Sequence, residues 1–124
     1  MTKIRPDVFA QACPSRLLLA RIANKWAMLV IDALGEDSVR NGALLRRVEG
    51  VSQKMLTETL RELEALRLVE RRSLGSVPPH VEYRLTALGL SLREAVCRLD
   101  RWVEEHMEGM APEAAVLEGA RPEV

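Results

Sequence analysis

Five polar residues between positions 52 and 61 have types and spacing that suit contact with a nucleic acid: Ser52, Gln53, Lys54, Thr57 and Arg61. Glutamine can read adenine and arginine can read guanine, while serine, threonine and lysine suit phosphate oxygens. Apolar residues recur between them at helical spacing, at Leu56, Leu60 and Leu63. This pattern predicts a helix with a buried leucine ridge and an outward polar flank. The same flank would also fit an ordinary solvated helix, so the helix alone leaves both readings open.

The surrounding segments predict elements that could position this helix. A short helix over Ala43–Val48, a turn at Gly50 and a helix over Ser52–Arg67 with Ser52 as N-cap have helix-turn-helix spacing. The preceding polar segment, Glu36 to Gly42, is predicted to be turn-like. The Ser52 end of the second helix matters most, because a recognition helix meets base edges with its N-terminal residues.

Two predicted strands follow, over Leu68–Leu74 and Val81–Leu85, separated by a loop that contains Gly75 and Pro78-Pro79. Such a ribbon is a candidate wing beside the helix. His80 and Arg84 flank the loop. The predicted DNA-binding set therefore adds three residues to the helical ones: Arg40, His80 and Arg84.

The rest of the chain completes a mainly α fold with a small β-ribbon (α+β), predicted to be a winged helix-turn-helix with a long C-terminal helix. Pro14 suits the start of a short apolar helix that includes Arg16–Ile22. Asn24 and Lys25 interrupt it, and a second helix is predicted from Trp26 to Leu34, ended by Gly35. Thr86 is predicted to cap a helix that runs to about Met107. We divide the chain into an N-terminal arm (1–12), one domain (13–108) and a flexible tail (109–124).

Charge is informative in its distribution, since the formal net charge is zero. Residues 40–84 carry nine basic and six acidic side chains, whereas residues 85–124 carry four basic and eight acidic ones. The middle is thus a candidate phosphate-facing surface, although so small an excess also fits a mixed surface. The apolar run from Ala27 to Ile31 is too short to span a bilayer, and no secretory signal is visible. We expect a cytoplasmic protein without membrane contact.

The last predicted helix carries an apolar stripe that a small domain cannot easily cover alone: Leu92, Val96, Leu99, Trp102 and Val103. Pairing two such stripes across a two-fold axis predicts a homodimer. The alternative is that this helix folds back on its own domain. A homodimer would read a near-palindrome with half-sites ~34 Å apart.

Cys13 and Cys97 are far apart in sequence and do not form a disulfide scaffold. Cys13 precedes Pro14 at a helix start and lies near Arg16, two features that favour the reactive thiolate. It is the candidate redox-sensing residue, with a quiet packed thiol as the alternative. For Cys97 we favour simple packing over a role as resolving cysteine.

The sequence resembles the HxlR-type winged helix-turn-helix regulators, which are relatives of the multiple-antibiotic-resistance repressors. The resemblance spans about Cys13 to His106 and rests on the following segments: Cys13-Pro14, Lys25-Trp26, Gly50–Thr57, Leu60–Glu64, Leu68-Val69, Val77–Tyr83 and Leu85–Gly89. It implies a homodimeric transcriptional regulator, with a repressor favoured. Residues 52–61 would occupy a major groove with the wing, residues 74–81, beside them. Some relatives sense electrophiles or oxidants with a cysteine at the position of Cys13.

An enzyme is not expected. His80, His106, Cys13 and Cys97 lack metal-ligand spacing, and the chain has neither a glycine-rich phosphate loop nor a nucleophile elbow, so no cofactor or metal is predicted. Two alternatives stay open. One is a winged-helix protein–protein module that does not bind DNA, and the other is a DNA-binding regulator that senses a small apolar ligand instead of an oxidant.

Overall fold

A computed structural model of the protein describes residues 5–75, 77–78 and 80–114. Parts of three predicted regions lie outside the described residues: positions 1–4 of the arm, positions 76 and 79 of the wing, and positions 115–124 of the tail.

Five α-helices begin and end close to the predicted positions. They are α1 (Pro14–Ile22), α2 (Lys25–Leu34), α3 (Asn41–Arg47), α4 (Gln53–Ala65) and α5 (Ala87–His106), with a 3₁₀ turn at Met107–Met110. Both predicted capping residues are confirmed, since Ser52 accepts from the Met55 amide and Thr86 from the Gly89 amide. The α4 helix ends earlier than predicted, because Arg67 adopts a left-handed φ of 62°.

The sheet has three antiparallel strands in the order β1-β3-β2, formed by β1 (Val39–Arg40), β2 (Val69–Ser73) and β3 (Val81–Leu85). The two predicted wing strands are confirmed. The prediction of a turn-like segment over Glu36–Gly42 holds for its first three residues and is wrong for the rest, because Val39 and Arg40 pair with Tyr83 and Glu82 and α3 then begins at once. A strand of two residues has no alternation to detect, and it exists only because β3 supplies hydrogen-bonding partners.

The core lies between α2, α3, α4 and the sheet. Its most deeply buried side chains come from three helices: Val30, Ile31, Leu34, Leu44, Leu56, Leu60 and Leu63. The predicted leucine ridge of α4 is therefore confirmed as an inward face. Leu68, Val69 and Leu85 extend the same core beneath the wing strands.

A tight junction joins α4, β2 and the start of α5. The Thr86 hydroxyl donates to the Arg67 carbonyl oxygen at 2.8 Å, and the Thr86 amide donates to the Leu68 carbonyl oxygen at 3.0 Å. Gly89 packs directly on Leu68, where a Cβ would collide with the carbonyl oxygen of that residue. This junction fixes the base of the wing against the C-terminal helix. Among the described residues, no helix is both long and apolar enough to cross a membrane.

Candidate nucleic-acid interface

The polar face of α4 is presented to solvent. We call it the outward flank, and it consists of Ser52, Gln53, Lys54, Thr57 and Arg61. Thr57 is half-buried and the other four are exposed. Within the described part of the chain, neither Lys54 nor Arg61 forms an ion pair. Their charges therefore remain available to an anionic partner, as the helical pattern predicts.

The first residue of the outward flank already has hydrogen-bonding partners. The Asn41 amide donates to Gln53 Oε1 at 2.7 Å, and Gln53 Nε2 donates back to Asn41 Oδ1 at 3.1 Å. The same Nε2 also donates to Thr57 Oγ1 at 3.0 Å. Asn41 starts α3 and Gln53 starts α4, so this network links the two helices of the helix-turn-helix at their N-terminal ends.

One face of the sheet adds a basic residue to this surface that sequence reasoning missed. Arg71 and Tyr83 are register partners, and both line a groove together with Thr57, Arg61 and Glu64. Alternate residues of a strand point to opposite faces, so Arg71 shares a face with the buried Val69. That alternation was present in the sequence, but the face toward α4 could not be chosen without the sheet register.

The other predicted sheet residues lie elsewhere. Arg84 is the register partner of Glu70 on the opposite face of the sheet, and its Nε donates to Glu70 at 2.8 Å. Arg40 is opposite Glu82 on that same face. His80 is half-buried at the end of the wing loop, where its carbonyl oxygen accepts from the Leu74 amide at 2.9 Å. The structure thus brings together the α4 residues and places Arg40 and Arg84 on the opposite face of the sheet from Arg71.

Cys13 immediately precedes α1 and is only 8% exposed. Its sulfur lies 3.1 Å from the Ser15 hydroxyl and accepts from the Asp7 amide at 3.4 Å. These hydrogen bonds, with the Ser15 hydroxyl foremost, lower the pKa of the Cys13 thiol. Arg16, expected to assist by charge, instead donates to the Phe9 carbonyl oxygen.

Cys97 has the opposite electrostatic environment. Its thiol donates to Asp32 Oδ1 at 3.3 Å, and burial together with this carboxylate raises the pKa of the thiol. A thiol held protonated is a poor nucleophile. This agrees with the packing role that the sequence favours for Cys97.

Two helices carry apolar side chains that the protomer leaves uncovered. On α5, Leu99, Trp102 and Val103 are exposed, with Trp102 at 49%. Val96 is different, because it is only 4% exposed and belongs to the protomer core, and Leu92 packs partly against that core. No residue of α1 is buried, although it contains three consecutive exposed leucines, Leu17, Leu18 and Leu19.

A helix pair leading into an outward polar helix, followed by a β-ribbon and a long final helix, defines the winged helix-turn-helix class. A family model described as HxlR-like helix-turn-helix matches residues 21–111. The chain belongs to this family of transcriptional regulators, as its sequence motifs predict, and it is a regulator rather than an enzyme.

Individual relatives agree with this assignment. The chain is 42% identical over 98 residues to the uncharacterised HTH-type transcriptional regulator YtfH of Escherichia coli, a match that covers 79% of this chain and 78% of that protein. The solved structure of the putative regulator ytfH from Salmonella typhimurium superposes with a TM-score of 0.81 at 36% identity, over 90% of this chain and 99% of that one. The redox regulator HypR in its oxidised form superposes with a TM-score of 0.69 at 35% identity, over 75% and 96% of the two chains.

Proposed function

We propose that the protein is a homodimeric repressor that binds a pseudo-palindromic operator in double-stranded DNA. The outward flank of α4 enters the major groove, and the wing contacts the adjacent backbone. The observation that carries the proposal is the exposed flank of a helix whose leucine ridge is buried, on which Lys54 and Arg61 have no ion pair with any residue that the structure describes. Arg71, beside Thr57 and Arg61, adds a phosphate contact to the predicted set.

The uncovered apolar side chains of α1 and α5 support the dimer. A helix with no buried residue and three exposed leucines gains little from its own protomer, since hydrophobic stabilisation follows the apolar area removed from water. Packing α1 and the Leu99–Trp102–Val103 face of α5 against a second copy covers both surfaces. The two α4 helices are then related by a two-fold axis, as a near-palindromic operator requires.

We further propose that Cys13 makes operator binding responsive to oxidants or electrophiles. The lowered pKa favours the thiolate, which is the form that attacks an oxidant or a quinone. HypR, whose solved structure is similar to this chain at 35% identity, is described as a redox regulator. Cys13 lies at the start of α1, next to the proposed dimer surface. Oxidation or alkylation of its thiol would therefore change how the two protomers pack and so the distance between their α4 helices.

A small apolar ligand is the second candidate effector. A groove between α1, the end of α4 and α5 is lined mainly by apolar side chains, including Leu18, Ile22, Leu66 and Leu92. Concave apolar surfaces of this kind suit small ligands. Such a ligand would compete with or reshape the same surface that the dimer uses.

The DNA-binding proposal is tested by fluorescence anisotropy on the intergenic duplex upstream of the gene, over a series of salt concentrations. We expect tight binding that weakens steeply with salt, and weaker binding to a scrambled duplex of the same length. A protein that ignores both duplexes at moderate salt would instead be a protein–protein module.

A further inference from the structure

Both N–H donors of the Gln53 side-chain amide are already engaged in hydrogen bonds within the protein. A glutamine amide has two N–H donors and one carbonyl oxygen with two lone pairs. Both donors are used, one toward Asn41 Oδ1 at 3.1 Å and one toward Thr57 Oγ1 at 3.0 Å. Asn41 occupies one lone pair of Oε1 at 2.7 Å, so among the described residues a single acceptor position of Gln53 stays open.

This arrangement conflicts with the usual way in which glutamine reads DNA. Bidentate recognition of adenine needs Nε2–H for the N7 acceptor and Oε1 for the N6 amine. With the Asn41 pair intact, Gln53 offers only an acceptor. An acceptor alone fits the exocyclic amine of either adenine or cytosine, and it cannot use N7 to distinguish between them.

We propose that Asn41 is a specificity-determining residue that fixes the hydrogen-bonding pattern presented by Gln53 to a base pair. The inference rests on the proposed function, in which α4 enters the major groove. Asn41 suits this role because it lies outside the recognition helix, directly after the strand residue Arg40, whose pairing with Glu82 holds the backbone. Each exposed hydrogen bond favours the bonded conformer of the Gln53 side chain over the unbonded ones about two- to tenfold. The reciprocal pair holds the amides of Asn41 and Gln53 in one orientation at the same time.

The test is selection of binding sites from a randomised duplex library by the wild-type protein and by Asn41→Ala, Gln53→Ala and the double variant. Asn41→Ala frees an Nε2–H, so we expect the preference for adenine over cytosine at the Gln53 position to rise about fivefold or more. Gln53→Ala should lose preference at the same position, and adding Asn41→Ala to it should change nothing further. Circular dichroism checks folding, which is not threatened because this amide pair lies at the protein surface.

Arg40→Ala is the matched control, since it removes the neighbouring side chain and a candidate phosphate contact. It should lower affinity for all sequences alike and leave base preference unchanged. The inference is overturned if Asn41→Ala selects the wild-type motif while Gln53→Ala changes it. Failure of the wild-type protein to select any motif would overturn the proposed function itself, which is a different result.

Discussion

At the scale of single residues, the basic side chains near α4 divide by their partners. Lys54 and Arg61 have no ion pair within the described residues, whereas Arg84 is neutralised by Glu70 at 2.8 Å. An exposed ion pair contributes little to stability, but it lowers the local positive potential that attracts phosphate. A basic side chain is therefore a stronger candidate for a phosphate contact when it lies on the side of the sheet toward α4 and has no acidic partner.

Arg71→Ala and Arg84→Ala form a matched pair that tests this ranking. We expect Arg71→Ala to weaken operator binding uniformly across sequences and to reduce the slope of log affinity against log salt by about 1, because one phosphate contact is lost. Arg84→Ala should change both quantities less. Anisotropy titrations at several salt concentrations measure the two effects, and a larger loss for Arg84→Ala would contradict the assignment of sheet faces.

The two cysteines should differ in reactivity. The pKa of the Cys13 thiol is lowered and that of Cys97 is raised, so at neutral pH Cys13 carries the larger thiolate fraction. We expect iodoacetamide to modify Cys13 first, as read by peptide mass spectrometry at pH 7.

The effect of thiol oxidation on function is tested by measuring operator affinity before and after treatment with diamide. Treatment should change the affinity of the wild-type protein and of Cys97→Ser, and it should leave Cys13→Ser unaffected. A Cys13→Ser protein that responds like the wild type would remove the proposed redox role.

At the scale of elements, function depends on how α5 is joined to the DNA-binding elements. One join is the contact of Gly89 with Leu68, which sets the start of α5 against the base of the wing. A second lies further along, where Asp32 of α2 accepts from Cys97 and contacts Arg93 at 3.7 Å, beside Asp100. Both joins connect the proposed dimer helix to the elements that hold α4.

Gly89→Ala tests the first join. The added Cβ would collide with the Leu68 carbonyl oxygen, and backbone cannot move aside cheaply, so we expect a loss of about 1–3 kcal/mol in the free energy of unfolding. Gly109→Ala is the control, because its Cβ would meet open space. Thermal denaturation of both variants measures the difference, and equal stability would show that the close contact is absent.

Asp100→Asn tests the second join through pH. Burial and the hydrogen bond with Asp32 raise the pKa of Asp100 to about 6. The folded protein therefore binds this proton more tightly than the unfolded chain, so its contribution to stability is present below about pH 4 and is lost as pH rises toward 6. Asparagine does not titrate.

We accordingly expect Asp100→Asn to gain stability over the wild type between pH 4 and 6, reaching about 1 kcal/mol above pH 6 after allowance for solvent screening. Urea unfolding of both proteins at pH 4.5 and 7.5 measures this difference in the free energy of unfolding. Glu105→Gln, an exposed change on the same helix, should show no such trend. A constant difference across this pH range for Asp100→Asn would contradict the raised pKa.

At the scale of the whole molecule, the proposed dimer determines how two recognition helices face one operator. Trp102→Glu places a charge in the exposed apolar face of α5, and we expect it to produce monomers by analytical ultracentrifugation with a marked loss of operator affinity. Leu29→Glu, an equally drastic change at an exposed site on α2, should leave the dimer intact. A Trp102→Glu dimer with full affinity would rule out this interface.

The sequence alone determined most of the architecture, because most of its helices and strands are encoded by residues that are close together in the chain. Helix caps at Ser52 and Thr86, the leucine ridge and the two wing strands depend on residues close together in the chain, and their periodicity records which side must be buried. The family assignment follows from the same contiguous motifs. The residues that encode these features lie within single segments of the chain.

Tertiary structure decided which residues meet across long stretches of chain. Strand β1 forms only because Val39 and Arg40 pair with β3. The register between β2 and β3 places Arg71 on the face toward α4 and pairs Arg84 with Glu70 on the opposite face. Only packing buried Val96 inside the protomer and joined Asn41 to Gln53. Such partners depend on the mutual placement of separate elements, and no spacing within one segment encodes that placement.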